Sequence, residues 1–326
     1  MRIPHPLFLP LILALGCLPN IQAKFQSVET CDTIQIQHSG QVLLEYLKKP
    51  AKAPEGINPD YERSGYIHPL RTLSGKPVTG DFEADHPHQH ALFFAWRKCE
   101  FEGRALNFWE HHSGKGKISH NKTLELKDGG FSVELLWTDE TKAGKSKPVL
   151  IETWTIRPKE RTAGGWLLDL ESTQRCASKS PLKILKYHYG GFAIRGPWFT
   201  SESENLSKAW LKAKDGSQPP AIAQLSRDFL TSEGKHWHDG NHTQPNWVSM
   251  FGKDAAVTLF SHPDNFRAPH HVRLHPHKPY FCFAPIVPGE FQIKPGKPYV
   301  SKFRFFIQDG QPAKGNLDKI WKDWTK

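Results

Sequence analysis

The chain has 326 residues, and its 43 Lys and Arg outweigh its 33 Asp and Glu to give a formal net charge of +10. This length suits one large β domain or two ordinary domains. The basic residues are scattered, mostly in predicted turns, and no basic helix or nucleic-acid-binding motif is present. We therefore predict no nucleic-acid partner. An acidic glycan or an anionic surface suits the charge better, with plain solubility as the alternative.

The N-terminus has the pattern of a secretory signal. Arg2 precedes an apolar stretch at residues 7–18, and the small residue Ala23 follows where a signal peptidase cleaves. We predict a signal peptide at 1–23 and a single mature domain at 24–326, located in the periplasm or secreted. A lipoprotein anchored at Cys17 is the less favoured alternative. No later segment approaches the roughly 20 apolar residues that span a bilayer, so we predict no membrane span.

Four cysteines remain in the predicted mature chain, and they are far apart in the sequence. An oxidising compartment permits disulfides among them, with three pairings open. Small buried thiols are the alternative in a domain of this size. The four are Cys31, Cys99, Cys176 and Cys282.

Most of the chain has the alternation, or the β-branched and aromatic content, of β-strands. In order, we predict strands at residues 33–37, 41–47, 65–70, 91–96, 105–109, 117–126, 131–137, 149–156, 166–172, 182–189, 220–224, 227–231, 247–251, 255–260, 272–274, 280–286 and 299–307.

The rest of the segment 203–243 is rich in Ser, Gly, Asp and His and is predicted to be irregular. The one predicted helix is the last element, capped by Asn316, with Ile320, Trp321 and Trp324 on one face. About 15 to 18 strands with short turns predict an all-β fold: a large antiparallel β-sandwich with one short C-terminal helix.

The stretch Asp-His-Pro-His-Gln-His at 85–90 is the strongest candidate site. If it is extended, alternation places His86, His88 and His90 on one face, leading into the buried strand at 91–96. Neutral imidazoles suit either metal ligation or acid–base chemistry on a polar substrate. A solvated histidine-rich loop is the alternative interpretation.

Further candidates lie later in the chain. His188 is followed by Gly190 and Gly191, which let a ligand approach the backbone, and Arg195 offers a rigid fork for an anion or vicinal hydroxyls. In 236–242, Trp237 can stack on a sugar, and His238 beside Asp239 can form an acid–base pair; Glu110 adds a carboxylate near the first site. The alternatives are a β-bulge for the segment with His188, a solvated loop for residues 236–242, and strand core for the segment that ends in Glu110.

The sequence lacks several well-known catalytic signatures. It has no Gly-x-Ser-x-Gly elbow, no His-Glu-x-x-His, no P-loop and no dinucleotide fingerprint. A cupin-like metal site would need a glutamate shortly after His90, and positions 93–95 are Phe, Phe and Ala.

Several of these segments resemble a family of exported bacterial proteins labelled PmoA-like. They are Gly-Tyr-Ile-His-Pro at 65–69, Gly-Asp-Phe at 80–82, the stretch 85–96, Tyr-His-Tyr-Gly-Gly at 187–191, Arg-Gly at 195–196 and Ser-His-Pro-Asp-Asn at 261–265.

More remotely, the strand pattern is similar to the galactose-mutarotase-like supersandwich of sugar epimerases, polysaccharide lyase domains and glycoside hydrolase domains. This second resemblance implies a carbohydrate ligand, with His188 where a catalytic histidine lies. Ala284 stands at the position that matches the epimerase glutamate, which argues against mutarotase activity.

We therefore expect a cleft that takes a carbohydrate, with acidic glycans among the candidates, and acts by acid–base or hydrolytic chemistry. Two other functions stay open: a carbohydrate-binding protein without catalysis, and an enzyme with a divalent metal on the His86/His88/His90 face. We otherwise expect no cofactor. The predicted catalytic residues are His88, His188 and Asp239, and the predicted substrate-binding residues are His86, His90, Glu110, Arg195, Trp237 and His238.

Overall fold

The computed structural model describes residues 24–326 except 143, 163, 214 and 216. The predicted signal peptide at 1–23 and the alternative anchor Cys17 lie outside the described residues. The strands are β1 (Gln26–Glu29), β2 (Thr33–His38), β3 (Gln41–Leu47), β4 (Ile67–Leu70), β5 (Leu92–Ala95), β6 (Cys99–Phe101), β7 (Arg104–Leu106), β8 (Gly116–Lys127), β9 (Gly130–Asp139), β10 (Lys147–Thr162), β11 (Gly165–Cys176), β12 (Leu182–Ile184), β13 (Gly191–Arg195), β14 (Asp228–Thr231), β15 (Trp247–Phe251), β16 (Ala255–Ser261), β17 (Val272–Leu274), β18 (Tyr280–Phe283), β19 (Phe291–Ile293) and β20 (Tyr299–Asp309). The α-helices are α1 (Ser201–Ala213), α2 (Ile222–Leu225) and α3 (Lys314–Trp324).

The strands form three antiparallel sheets. The first sheet has the order β1-β2-β3-β4-β5-β13-β18-β17, and the second has the order β14-β15-β16-β20-β11-β10-β9-β8. A small third sheet, β19-β12-β6-β7, completes the arrangement. The predicted all-β antiparallel sandwich with a short C-terminal helix is confirmed.

The core lies between the two large sheets and is built from alternating residues. In β2 every second residue is buried, including Ile34 and Ile36, because successive side chains point to opposite faces. Aromatic rings then join the sheets: Phe192 of β13 stacks on Phe303 of β20 at a centroid distance of 4.6 Å. This packing holds β5, β13 and β18 side by side, and the candidate site is built on these strands.

Helix α1 lies in the segment that the sequence predicted to be irregular, so that prediction is wrong here. The hydroxyl of Thr200 accepts a hydrogen bond from the backbone N–H of Ser203 at 3.0 Å and caps the first turn. Leu206 and Trp210, one turn apart, pack against the core. The short helix α2 replaces the strand predicted at 220–224, whereas β14 matches the strand predicted at 227–231.

The C-terminal helix α3 covers the outer face of the second sheet. Ile320 is buried against this sheet, with Trp321 and Trp324 partly buried beside it, so the predicted apolar face is confirmed. The helix starts earlier than predicted: Ala313 is its N-cap, and Asn316 lies inside the first turn. No helix within the described ranges has both the length and the hydrophobicity needed to cross a membrane.

The four cysteines of the described chain are all free thiols. Cys99 and Cys282 are buried in the core, Cys176 is partly buried and Cys31 is exposed. Burial raises the pKa of both core thiols, which keeps them protonated and unreactive.

Candidate functional site

A cavity of about 240 Å³, which we call the histidine cavity, opens beside the central strands of the first sheet. Four of the predicted site residues line it: His86, His88, Glu110 and His188. The turn before β5 supplies two of the histidines, the chain after β7 supplies the glutamate, and the link into β13 supplies His188. The remaining lining residues are Gln89, Tyr189, Arg273, His275 and Tyr280.

The stretch 85–90 is a pair of tight turns, not the extended strand that the sequence predicted. The backbone N–H of His86 donates to the Glu83 carbonyl at 2.9 Å, and that of Gln89 donates to the His86 carbonyl at 3.0 Å. These turns break the alternation. The rings of His86 and His88 stay together, at a centroid distance of 5.3 Å, whereas His90 turns into the protein.

His90 belongs to a buried hydrogen-bond network and does not line the histidine cavity. Its Nδ1 lies 2.8 Å from Oδ1 of Asp81, and the hydroxyl of Tyr66 donates to Oδ2 of the same carboxylate at 2.6 Å. Burial lowers the pKa of His90 although the Asp81 hydrogen bond opposes this. The predicted His86/His88/His90 metal face is therefore not formed, and the described residues contain no group of three or more His, Cys, Asp or Glu arranged to hold a metal ion.

Asp85 is the centre of a charged cluster under the cavity. Its carboxylate accepts hydrogen bonds from Arg195 at 2.6 and 3.1 Å and pairs with Lys278 at 2.7 Å. Burial raises the pKa of Asp85, but the hydrogen bond with His86 and the charges of Arg195 and Lys278 outweigh it and hold the pKa well below its usual range. Arg195 is fully buried and does not line the cavity, but it donates to Gln89, which does, at 3.1 Å.

The Asp85–His86 pair gives one imidazole a defined role. Nδ1 of His86 lies 3.1 Å from Oδ2 of Asp85, and an ionised carboxylate can only accept, so this nitrogen carries a proton. In the neutral ring, Nε2 of His86 then holds a lone pair. A carboxylate that orients an imidazole in this way is the arrangement of a general base.

Two other cavity histidines are held neutral at pH 7. Burial, followed by the charges of His86 and His112, lowers the pKa of His88 to about 3. Burial, followed by the charges of Arg273 and Lys278, lowers the pKa of His275 to about 2.

The hydrogen bond of His275 also fixes its tautomer. Its Nδ1 accepts from the backbone N–H of His277 at 3.2 Å, so the neutral ring carries its proton on Nε2. His275 is therefore a donor, and His86 is an acceptor, in the same cavity.

The side-chain polar groups of two cavity residues lack a nitrogen or oxygen partner among the described residues. The Arg273 guanidinium makes no salt bridge or side-chain hydrogen bond with any described residue. The Tyr280 hydroxyl is buried and has no nitrogen or oxygen partner in the described chain. A buried hydroxyl without a partner is costly, so both groups suit a ligand that brings oxygen atoms to this wall.

Glu110 is the one carboxylate among the residues that line the histidine cavity. Its Oε2 forms a salt bridge with Arg97 at 3.1 Å and accepts a hydrogen bond from Asn107 at 2.9 Å. Arg97 in turn donates to the Tyr189 hydroxyl at 3.1 Å. Glu110 is thus compensated by an arginine, and the cationic charge of Arg273 is left in excess.

The segment 236–242, which holds the predicted site residues Trp237, His238 and Asp239, does not line the histidine cavity. Trp237 is buried against Trp210 of α1, at a centroid distance of 5.3 Å. Oδ1 of Asp239 accepts from the backbone N–H of His236 at 2.7 Å, so this half-exposed carboxylate stabilises a turn. His238 also packs on Trp210, at 5.2 Å.

The sequence prediction missed the contribution of β17 and β18. Arg273 and His275 are two residues apart, as are side chains on one face of an extended chain, and Tyr280 begins the next strand. The segment His275-Pro276-His277 repeats the His-Pro-His spacing of the first stretch, which is a signal that sequence reasoning could have used.

A family model described as "Family of unknown function (DUF6807)" matches residues 33–322. No curated protein sequence matches the chain. The PmoA-like resemblance stays a prediction, because none of these matches tests it.

Solved structures that resemble the chain include a polysaccharide lyase (TM-score 0.38, 10% identity, covering 90% of this chain and 34% of that one). A second is the alpha-N-acetylgalactosaminidase NagBb from Bifidobacterium bifidum, with a TM-score of 0.37 and 10% identity, covering 92% of this chain and 37% of that one. A third is the heparan sulfate lyase HepC from Pedobacter heparinus, with a TM-score of 0.36 and 11% identity, covering 90% of this chain and 36% of that one. The chain spans about a third of the length of each, and the activities in these names are those of the larger proteins.

Proposed function

We propose that this chain, which belongs to the DUF6807 family of unknown function, binds a carbohydrate bearing a carboxylate in the histidine cavity and acts on it by acid–base chemistry. The observation that carries the proposal is the unpaired guanidinium of Arg273 beside imidazoles that are neutral at pH 7. Export through the predicted signal peptide would place this function in the periplasm or outside the cell.

The shape and polarity of the cavity support a sugar ligand. Its volume of about 240 Å³ lies just below the roughly 300–1,000 Å³ of pockets for drug-sized ligands, so it suits about one sugar ring. Gln89, His88 and the Tyr280 hydroxyl supply donors and acceptors for ring hydroxyls. Arg273 can pair with a carboxylate in two parallel hydrogen bonds, which gives preference to a sugar acid over a neutral sugar.

The residues favour proton transfer by imidazoles over hydrolysis by paired carboxylates. Glycoside hydrolysis generally uses two carboxyl groups on either side of the scissile bond. Glu110 is the one carboxylate among the described residues that line the cavity, and Arg97 already pairs with it. His86 Nε2 as base and His275 Nε2–H as hydrogen-bond donor form the better-equipped pair.

The proposed reaction begins with loss of the C–H proton next to the carboxylate of the sugar. The C–H bond breaks, the proton moves to Nε2 of His86, and the electron pair enters the carboxylate, where Arg273 stabilises the added negative charge. His86 can return a proton to the same carbon, which regenerates the sugar acid and, in D₂O, introduces deuterium at that carbon. Alternatively, the electron pair forms a double bond to the neighbouring carbon, and the bond from that carbon to the glycosidic oxygen breaks. The leaving oxygen then takes the proton held by His86, while His275 Nε2–H donates a hydrogen bond to it.

The first experiment tests ligand class by calorimetry, with glucuronate and galacturonate as probes and glucose and galactose as neutral controls. We expect the sugar acids to bind more tightly than the neutral sugars. Arg273→Gln should weaken sugar-acid binding by about 10- to 150-fold, the value of a hydrogen bond between charged groups. Arg175→Gln removes the same charge from an exposed arginine of β11 and should leave binding unchanged. Equal binding of acidic and neutral sugars would contradict the proposal.

The second experiment tests chemistry by following exchange of the C5 proton for deuterium in D₂O, using NMR. His86→Gln should lower the exchange rate by about 10²–10⁴-fold, the usual contribution of one general base, with little change in affinity. If sugar acids bind but neither exchange nor turnover is detected, the non-catalytic binding protein replaces the enzyme as the better description.

A further inference from the structure

A second cavity, of about 390 Å³, adjoins the histidine cavity. We call it the tyrosine cavity, because Tyr187 lines it together with Lys98, Leu106, Lys115 and Leu185. Glu110 lines both cavities. The two spaces are therefore neighbours with a wall in common.

That common wall is a small and well-connected group. Arg97 pairs with Glu110 at 3.1 Å, donates to the Tyr189 hydroxyl at 3.1 Å, and lies over the Tyr187 ring at 5.4 Å from its centroid. Tyr189 lines the histidine cavity and Tyr187 the tyrosine cavity. A ligand long enough to occupy both cavities would contact Tyr189 in one cavity, Tyr187 in the other, and Glu110 between them.

The tyrosine cavity combines apolar carbon with free positive charge. Leu106, Leu185 and the Tyr187 ring suit the C–H face of a pyranose. Lys98 and Lys115 are exposed, and neither makes a salt bridge with any described residue. Two unpaired cations above an apolar surface match a sugar residue with a negatively charged substituent.

We propose that the tyrosine cavity binds the adjoining residue of an acidic oligosaccharide whose first residue occupies the histidine cavity. This inference rests on the proposed function and extends it from a single sugar acid to a chain of at least two residues. The Arg97–Glu110 wall then lies beside the linkage between the two residues, and the lysines bind the charge of the second residue.

The test compares the affinity of one sugar with that of two, using galacturonate against digalacturonate, and glucuronate against a disaccharide that carries glucuronate. In the parent protein, the disaccharide of the matching series should bind about 5- to 30-fold more tightly, which corresponds to two exposed charge pairs. In Lys98→Ala/Lys115→Ala this gain should disappear, so that one and two residues bind equally. The matched control Lys294→Ala/Lys297→Ala removes the same charge from another exposed pair and should keep the gain.

The outcomes separate the two proposals. Equal binding of monosaccharide and disaccharide by the parent protein overturns the second-residue site and leaves the proposed function standing. A gain that survives in Lys98→Ala/Lys115→Ala overturns the assignment to the tyrosine cavity. If no sugar acid of either length binds, both proposals are overturned.

Discussion

The charged cluster around Asp85 allows the sharpest test of how the site is held together. We predict that Asp85→Asn lowers the free energy of unfolding by about 5 kcal/mol at pH 7. The substitution keeps the volume of the side chain and removes its charge. Arg195 is fully buried, and Asp85 and Lys278 are 8% exposed, so water cannot replace the lost carboxylate.

The magnitude follows from the number of cations that lose their partner. Removal of one member of a buried ion pair costs about 3–5 kcal/mol, because the other charge is left uncompensated. Arg195 and Lys278 both pair with the same carboxylate, and Lys278 would keep only its longer ion pair with Glu204 at 3.5 Å, which places the effect at the upper end of that range. Arg195 would keep the Gln89 side chain, the ring of Phe199 at 5.6 Å and a neutral amide oxygen in place of the carboxylate, but no negative charge.

The pH dependence provides an internal check on this explanation. The pKa of Asp85 in the folded protein lies below the value of about 3.9 for an unperturbed Asp. Its stabilisation is therefore fully present above about pH 4 and is lost as the pH falls through the folded-state pKa. Because this pKa lies below about 4, the difference between the parent protein and Asp85→Asn should be constant from about pH 5 to 8 and should shrink in more acidic solution.

Urea denaturation at several pH values measures these differences. Asp32→Asn is the matched control, because Asp32 pairs with Lys49 in solvent, and an exposed pair contributes at most about 1 kcal/mol. If Asp85→Asn cost no more than this control, the cluster would not stabilise the fold. A large loss that persisted unchanged at pH 2.5 would show that packing, and not charge, is responsible.

Three further predictions concern single residues. The pKa of His88 is lowered to about 3 in the folded protein, so its contribution to stability is present above about pH 6.5 and is lost as the pH falls towards 3. His88→Gln should flatten this part of the profile of unfolding free energy against pH, measured by urea denaturation. Gly191→Ala should lower the unfolding free energy by about 4 kcal/mol or more, because the φ of Gly191 is +136° and a Cβ would lie 2.2 Å from a backbone oxygen of β18. The control Gly289→Ala places its Cβ in open space and should cost less than about 0.5 kcal/mol. Glu152→Ala leaves the buried indole N–H groups of Trp137 and Trp154 without an acceptor and should lower the unfolding free energy by about 3 kcal/mol or more. The control Glu171→Ala changes an exposed glutamate and should cost less than about 0.5 kcal/mol.

The long strands were predictable because burial imposes a period of two on the sequence. The predicted strand at 299–307 lies inside β20, where Phe303, Phe305 and Ile307 are buried in turn. Helix α1 was not predictable in the same way. Three serines among its 13 residues hide its apolar spacing, and its cap, Thr200, lies outside the segment that was predicted to be irregular.

The site was predictable where its residues share a local stretch and unpredictable where strand pairing assembles it. His86 and His88 stand out in the sequence by themselves. Arg273 and His275 reach the same cavity only because β18 pairs with both β13 and β17, an order of strands that local patterns do not determine. Asp239 had the right chemistry beside His238, but its carboxylate is used by the backbone of its own turn.

The chain contains two Asp–His pairs within ten residues, and their surroundings give them different roles. Asp81–His90 and Asp85–His86 have similar hydrogen bonds, at 2.8 and 3.1 Å. His90 is 2% exposed and sealed by Tyr66, whereas His86 is 32% exposed and lines the histidine cavity. The tight turns at 85–90 produce this division, because they rotate His90 away from the face that an extended strand would have shared. An imidazole beside a carboxylate therefore indicates a reactive group only where a substrate can reach its second nitrogen, and here that condition selects His86.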